Sequence, residues 1–67
     1  MPHPDAEQRL RNAYQIVQLL LERESPETVR PWFIGMNPDL GDHAPALVLG
    51  EEPVHVLQAA RTFLAHG

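Results

Sequence analysis

Proline is the residue that most constrains how this chain can fold. Seven of the 67 residues are proline, and a proline inside a helix costs about 3 kcal/mol because it lacks an N–H donor and clashes with the preceding turn. The first position of a helix tolerates proline, since the N–H there has no helical partner. Pro26, Pro45 and Pro53 are therefore predicted to begin three helices. Pro31 falls inside the first of these, so we expect either a later start or a kink at that point.

Other residues mark the ends of these helices. Ser25 is predicted to be the N-cap of the first one. Gly35 and Gly50 are predicted to end the first and second, and the last should end near His66. The segment between the first two is dense in turn formers, and Asn37-Pro38-Asp39 is predicted to form a turn.

A longer helix is predicted in the N-terminal third of the chain. It should start at Asp5, with Gln8 three residues later in the capping-box arrangement. Its apolar stripe has helical spacing and comprises Leu10, Ala13, Tyr14, Val17, Leu20 and Leu21. No segment has the alternating β-branched pattern of a strand. The sequence therefore predicts one all-α domain over residues 1–67, a small bundle of about four helices.

Large side chains are few, and most are predicted to fill the core. A domain of this length buries only about 60% of the surface of its unfolded chain, and it has four aromatic residues. Ile16 and Leu19 lie off the main stripe of the first helix, about 100° and 160° from its centre at 100° per residue. We expect that second strip to be covered by another copy of the chain or by a partner. The predicted core residues are Tyr14, Val17, Trp32, Phe33, Leu57 and Phe63.

Composition restricts the classes of function. Nine acidic residues stand against five arginines, which are scattered, and there is no lysine. Nucleic-acid binding depends on clustered positive charge, so this chain alone is not expected to bind DNA. The chain has no cysteine, no apolar run near the roughly 20 residues of a membrane span and no pattern of a signal peptide. We expect a cytoplasmic protein that contacts no membrane.

Catalytic and metal-binding patterns are missing from the sequence. The four histidines do not have the spacing of metal ligands, and no cysteine is present to complete a site. Glu51 and Glu52 are adjacent, so on a helix their side chains diverge by about 100°. They are better placed to stabilise the positive end of the helix that begins at Pro53. We expect no enzyme activity, no catalytic residues, no metal and no cofactor.

The central and C-terminal sequences together resemble one known family. "WFIGMNPDLG", a short link to "AP" and a Leu-containing turn, then "PVHVLQAARTFLAHG", is similar to the C-terminal toxin-binding domain of Xre/MbcA/ParS-type antitoxins. The resemblance covers about residues 10 to 67. It is carried by Trp32, Phe33, Asn37, Pro38, Leu40, Gly41, Pro45, Leu49, Val56, Leu57, Ala60 and Gly67.

Membership of that family would imply a protein inhibitor from a bacterial toxin–antitoxin system. Its members neutralise RES-domain toxins, which consume NAD, and their C-terminal helix lies near the mouth of the toxin's NAD site. For this chain the resemblance implies occlusion by residues 61–67 without catalysis. The residues expected to contact the toxin are Asn37, Pro38, Asp39, Leu40, Gln58, Arg61, Thr62, Ala65, His66 and Gly67.

Two expectations concern what accompanies this domain. Many members carry an N-terminal helix-turn-helix region that binds DNA, and only four residues precede the first predicted helix here. We therefore expect toxin binding without DNA binding. The alternative is a small helical oligomerisation or interaction module, or a truncated part of a transcriptional regulator.

Overall fold

The fold is all-α, as the sequence predicts. A computed structural model describes the backbone of residues 4–66 and the side chains of residues 6–66. Four helices follow one another: α1 (Pro4–Leu21), α2 (Pro26–Ile34), α3 (Pro45–Val48) and α4 (Pro53–His66). A 3-10 turn, Pro38–Leu40, lies between α2 and α3. None of these described helices is both long enough and apolar enough to cross a membrane.

Proline begins the last three helices, which confirms the predicted starts. Two details of the prediction are wrong. α1 already includes Pro4, so Asp5 is a helical residue and not the N-cap. α2 starts at Pro26 and continues through Pro31 to Ile34, so the later start does not occur. Ser25 occupies the N-cap position of α2 without a capping side-chain bond; its hydroxyl lies 3.3 Å from that of Thr28 instead.

The core lies where α1 crosses α4, with α2 and α3 closing its remaining side. α1 packs against α4 and α2, α2 against α3, and α4 against both α3 and the 3-10 turn. Leu20 of α1 and Val56 of α4 are completely buried. The other buried apolar residues are Ile16, Val29, Leu40, Leu49, Ala59 and Ala60.

The face that α1 turns to the core overlaps the predicted stripe only in part, through Ala13 and Leu20. Ile16 is only 2% exposed and Leu19 packs against the core, so the prediction that this pair contacts another molecule is wrong. Tyr14, predicted to be a core residue, is 66% exposed, and Leu10 is 71% exposed. α1 has two overlapping apolar stripes, and the neighbouring helices determine which one is buried.

The remaining predicted core residues are half-buried. Trp32, Phe33, Leu57 and Phe63 pack against the buried cluster, and Val17 has intermediate exposure. The Trp32 and Phe33 rings meet edge to face with their centroids 5.1 Å apart. Trp32 also approaches Phe63, at 6.0 Å between centroids. This aromatic trio ties α2 to the C-terminal half of α4.

Candidate partner-binding groove

Asn37 organises the loop between α2 and α3. Its side-chain oxygen accepts a hydrogen bond from the Asp39 N–H at 2.9 Å, which caps the 3-10 turn. Its main-chain carbonyl accepts from the N–H groups of Leu40 and Asp42, both at 2.9 Å, and its N–H donates to the His43 carbonyl at 3.2 Å. The residue is 9% exposed. Asn37 therefore takes part in four hydrogen bonds of the loop, and the His43 N–H adds another by donating to the Leu40 carbonyl at 3.2 Å.

The loop reverses direction through two residues of left-handed conformation. Gly41 and Asp42 both have a φ of 64°. Glycine adopts this conformation without steric cost, and aspartate is one of the few other residues that tolerates it. The reversal brings His43 back to pair with Asn37 as an isolated antiparallel bridge. The result is a rigid loop closed at both ends.

An open groove separates this loop from the C-terminal half of α4. Its volume is about 470 Å³. Trp32 and Phe63 contribute aromatic surface, and Met36 adds a side chain that is 82% exposed. The complete lining is Trp32, Met36, Asn37, Pro38, Asp39, Ala59, Thr62, Phe63 and His66.

The chemistry of the groove suits binding. Asp39 and His66 are the two titratable side chains that line it, and the His66 Nδ1 atom lies 2.9 Å from the Thr62 carbonyl of its own helix. An apolar centre with a few polar groups at its edge is the usual composition of a protein-binding surface. Among residues 4–66, no group of three histidine or acidic side chains could hold a metal ion.

Half of the predicted contact residues meet in this groove. Asn37, Pro38, Asp39, Thr62 and His66 line it. The exposed α4 residues Gln58, Arg61 and Ala65 do not line it. Gly67 lies outside the described residues.

Leu40 does not fit the predicted role. It is 8% exposed and belongs to the buried cluster, because the 3-10 turn directs this apolar side chain towards α4 while the loop backbone stays outside. Its prediction as a contact residue is wrong. Leu40 instead anchors the loop to the core.

Met36, Ala59 and the aromatic pair Trp32 and Phe63 are groove residues that sequence reasoning did not assign to a binding surface. Met36 had one detectable signal, since it is a large apolar residue among turn formers, outside every helix. Trp32 and Phe63 were predicted to be core residues, and Ala59 was assigned to neither the core nor a binding surface. Comparisons with protein-family models, with curated proteins and with solved structures give no match.

Proposed function

We propose that this chain is an antitoxin-type inhibitor that binds an NAD-consuming RES-domain toxin through the groove between the Asn37 loop and α4. The observation that carries the proposal is the groove itself. It joins two segments far apart in sequence, residues 36–39 and 59–66. The family resemblance assigns toxin contact to the second of these, the C-terminal helix, and the turn at Asn37 is the other segment that the sequence offers for contact.

The groove has features that favour tight binding to a protein. Met36 is exposed beside the half-buried Trp32, and apolar and aromatic side chains near the centre of an interface commonly supply most of its binding energy. The loop is held by the four hydrogen bonds of Asn37. A preformed loop loses little conformational entropy on binding.

Inhibition would be steric. Arg61, Ala65 and His66 are exposed on the last turns of α4, beside the groove. A toxin surface seated in the groove would place these turns against the toxin itself. If the groove receives the edge of the toxin's NAD site, α4 blocks entry of the dinucleotide and no reaction by this chain is required.

Replacement of Met36 tests the proposal. Met36→Glu puts a charge in the lining of the groove at a side chain that is 82% exposed, so the fold should persist. We expect the affinity for the toxin to fall at least about tenfold, equivalent to roughly 1.4 kcal/mol. The measurement is NAD consumption by a purified RES-domain toxin as the domain is titrated in.

Ile34→Glu is the matched control. Ile34 is also apolar, 70% exposed and only two residues away, but it does not line the groove. The Ile34→Glu variant should inhibit the toxin as strongly as the unaltered chain does. Equal loss of inhibition by both variants would argue against the groove, and failure of the unaltered chain to inhibit would contradict the proposed function.

A further inference from the structure

α1 carries an apolar strip that faces away from the core. Leu10, Tyr14, Val17 and Leu21 follow one another at spacings of four, three and four residues, the heptad pattern of helices that pair. At 100° per residue this outer seam lies about 100° around the helix from the inner seam of Ala13, Ile16 and Leu20. The inner seam packs on α4 and α2. Leu10, Tyr14 and Leu21 of the outer seam are exposed, and Val17 between them is half-buried.

The outer seam is exposed and continues onto α3. Leu10 is 71% exposed, Tyr14 66% and Leu21 37%. Across an open groove of about 580 Å³, Leu10 faces Leu47 of α3, which is 79% exposed. Isolated exposed leucines are ordinary, but a continuous apolar patch on a small domain usually marks an interaction site.

We propose that the outer seam binds the outer seam of a second copy of this chain, with the two α1 helices antiparallel. The spacing is symmetric about a point midway between residues 15 and 16. An antiparallel pair centred there places Leu10 opposite Leu21 of the other copy, and Tyr14 opposite Val17. Every seam residue thus meets a seam residue, as a two-fold interface requires.

The charges beside the outer seam favour the same arrangement. Arg11 and Glu22 lie on one flank, about 90° and 110° from the centre of the seam at 100° per residue. In the antiparallel pair this flank faces itself, and Arg11 is level with residue 20 of the other copy. Glu22 of that copy is then only about 3 Å further along the axis. Two Arg11–Glu22 ion pairs would form across the interface. In a parallel arrangement of the two helices, this flank would face the α3 side of the other copy, and Arg11 would not meet Glu22.

The surface area is compatible with a small dimer. The chain exposes 4999 Å² in total. A standard interface buries about 800 Å² on each partner. The outer seam residues and Leu47 do not line the groove beside Asn37. A dimer formed this way would leave that groove open on each copy, so the inference does not depend on the proposed function.

Sedimentation equilibrium of the purified chain tests the inference. The unaltered chain should show a concentration-dependent monomer–dimer equilibrium. Leu10→Glu and Tyr14→Glu should sediment as monomers. Both should keep the helical circular dichroism signal, because both side chains are already exposed. Ile34→Glu is the matched control, since Ile34 is 70% exposed on α2 and lines none of the cavities beside α1, and it should dimerise normally.

A charge exchange tests the antiparallel register. Arg11→Glu and Glu22→Arg should each weaken the dimer about tenfold, and the double variant should recover most of the loss. A chain that stays monomeric at all concentrations would overturn the inference. If outer-seam variants of such a monomer lost toxin binding, the outer seam would contact the toxin and not a second copy. Dimerisation unaffected by Leu10→Glu would also overturn it. Absence of recovery in the double variant would refute the antiparallel arrangement.

Discussion

At the scale of single residues, Asn37 links the fold to the groove. Its side chain and backbone make four of the hydrogen bonds within the loop of residues 37–43, and the same residue lines the groove. The stability of the loop and the proposed binding therefore share one residue. A change at this position should affect both, in proportion to the hydrogen-bonding capacity that remains.

Two substitutions at Asn37 test how much the loop depends on the hydrogen-bond acceptor of this side chain. Asn37→Ala removes the oxygen that accepts the Asp39 N–H, and the loss of such a cap costs about 1–2 kcal/mol. Asn37→Asp keeps an acceptor in the same place and should lose less. Urea unfolding followed by circular dichroism should therefore give the highest free energy of unfolding for the unaltered chain, a lower one for Asn37→Asp and the lowest for Asn37→Ala. If alanine is tolerated as well as aspartate, the capping bond does not hold the loop.

At the scale of the helices, α2 contains a residue that works against it. Pro31 is the sixth residue of a nine-residue helix, too far from the start for its missing N–H to be harmless. The Glu27 carbonyl, four residues earlier, loses its helical donor. α2 persists because tertiary contacts compensate: Val29 is 5% exposed in the core, and Trp32 and Phe33 pack against the same cluster.

Pro31→Ala should stabilise the domain. The change restores a backbone donor and removes the clash of the ring with the preceding turn, a gain of about 1–3 kcal/mol. Pro31 is exposed, so no core contact is lost. Pro26→Ala is the control, because proline at the first helical position is already well accommodated, and it should change stability little. Equal effects at both positions in thermal unfolding would show that Pro31 carries no helix penalty.

The starts of the last three helices were predictable because they follow from local chemistry. Pro26, Pro45 and Pro53 begin helices for reasons contained within a few residues. The buried face of α1 was not predictable in the same way. The stripe containing Leu10 and Tyr14 and the stripe containing Ile16 and Leu20 both have helical spacing, and only the placement of α4 and α2 buries the second.

At the scale of the whole molecule, the groove exists because distant segments meet. The turn residues Asn37, Pro38 and Asp39 were recognisable from sequence, but their position beside Thr62 and His66 depends on how α4 packs against the 3-10 turn. That packing buries Leu40, which sequence reasoning had placed on the surface. A short polar loop predicts exposure for its backbone, while one apolar side chain within it can still belong to the core.

Trp32 connects the core to the groove, and its removal should unfold the free chain. The ring contacts Phe33 and Phe63 and also lines the groove. Truncation of a buried large aromatic side chain costs about 3–5 kcal/mol, and for the half-buried Trp32 we expect the lower end of that range. The core of a domain below about 70 residues rarely supplies more than roughly 3–5 kcal/mol. Trp32→Ala should therefore lose its helical circular dichroism signal at 25 °C in buffer without denaturant.

Tyr14→Ala is the matched aromatic truncation, because Tyr14 is 66% exposed. At a concentration too low for association it should unfold like the unaltered chain, since a substitution on an open surface usually changes stability by less than about 0.5 kcal/mol. The pair of variants also separates the two roles of Trp32. If Trp32→Ala keeps its helical signal but no longer inhibits the toxin, Trp32 acts mainly as a binding residue. The core formed by Leu20, Val56 and their neighbours would then be sufficient to hold the four helices together without it.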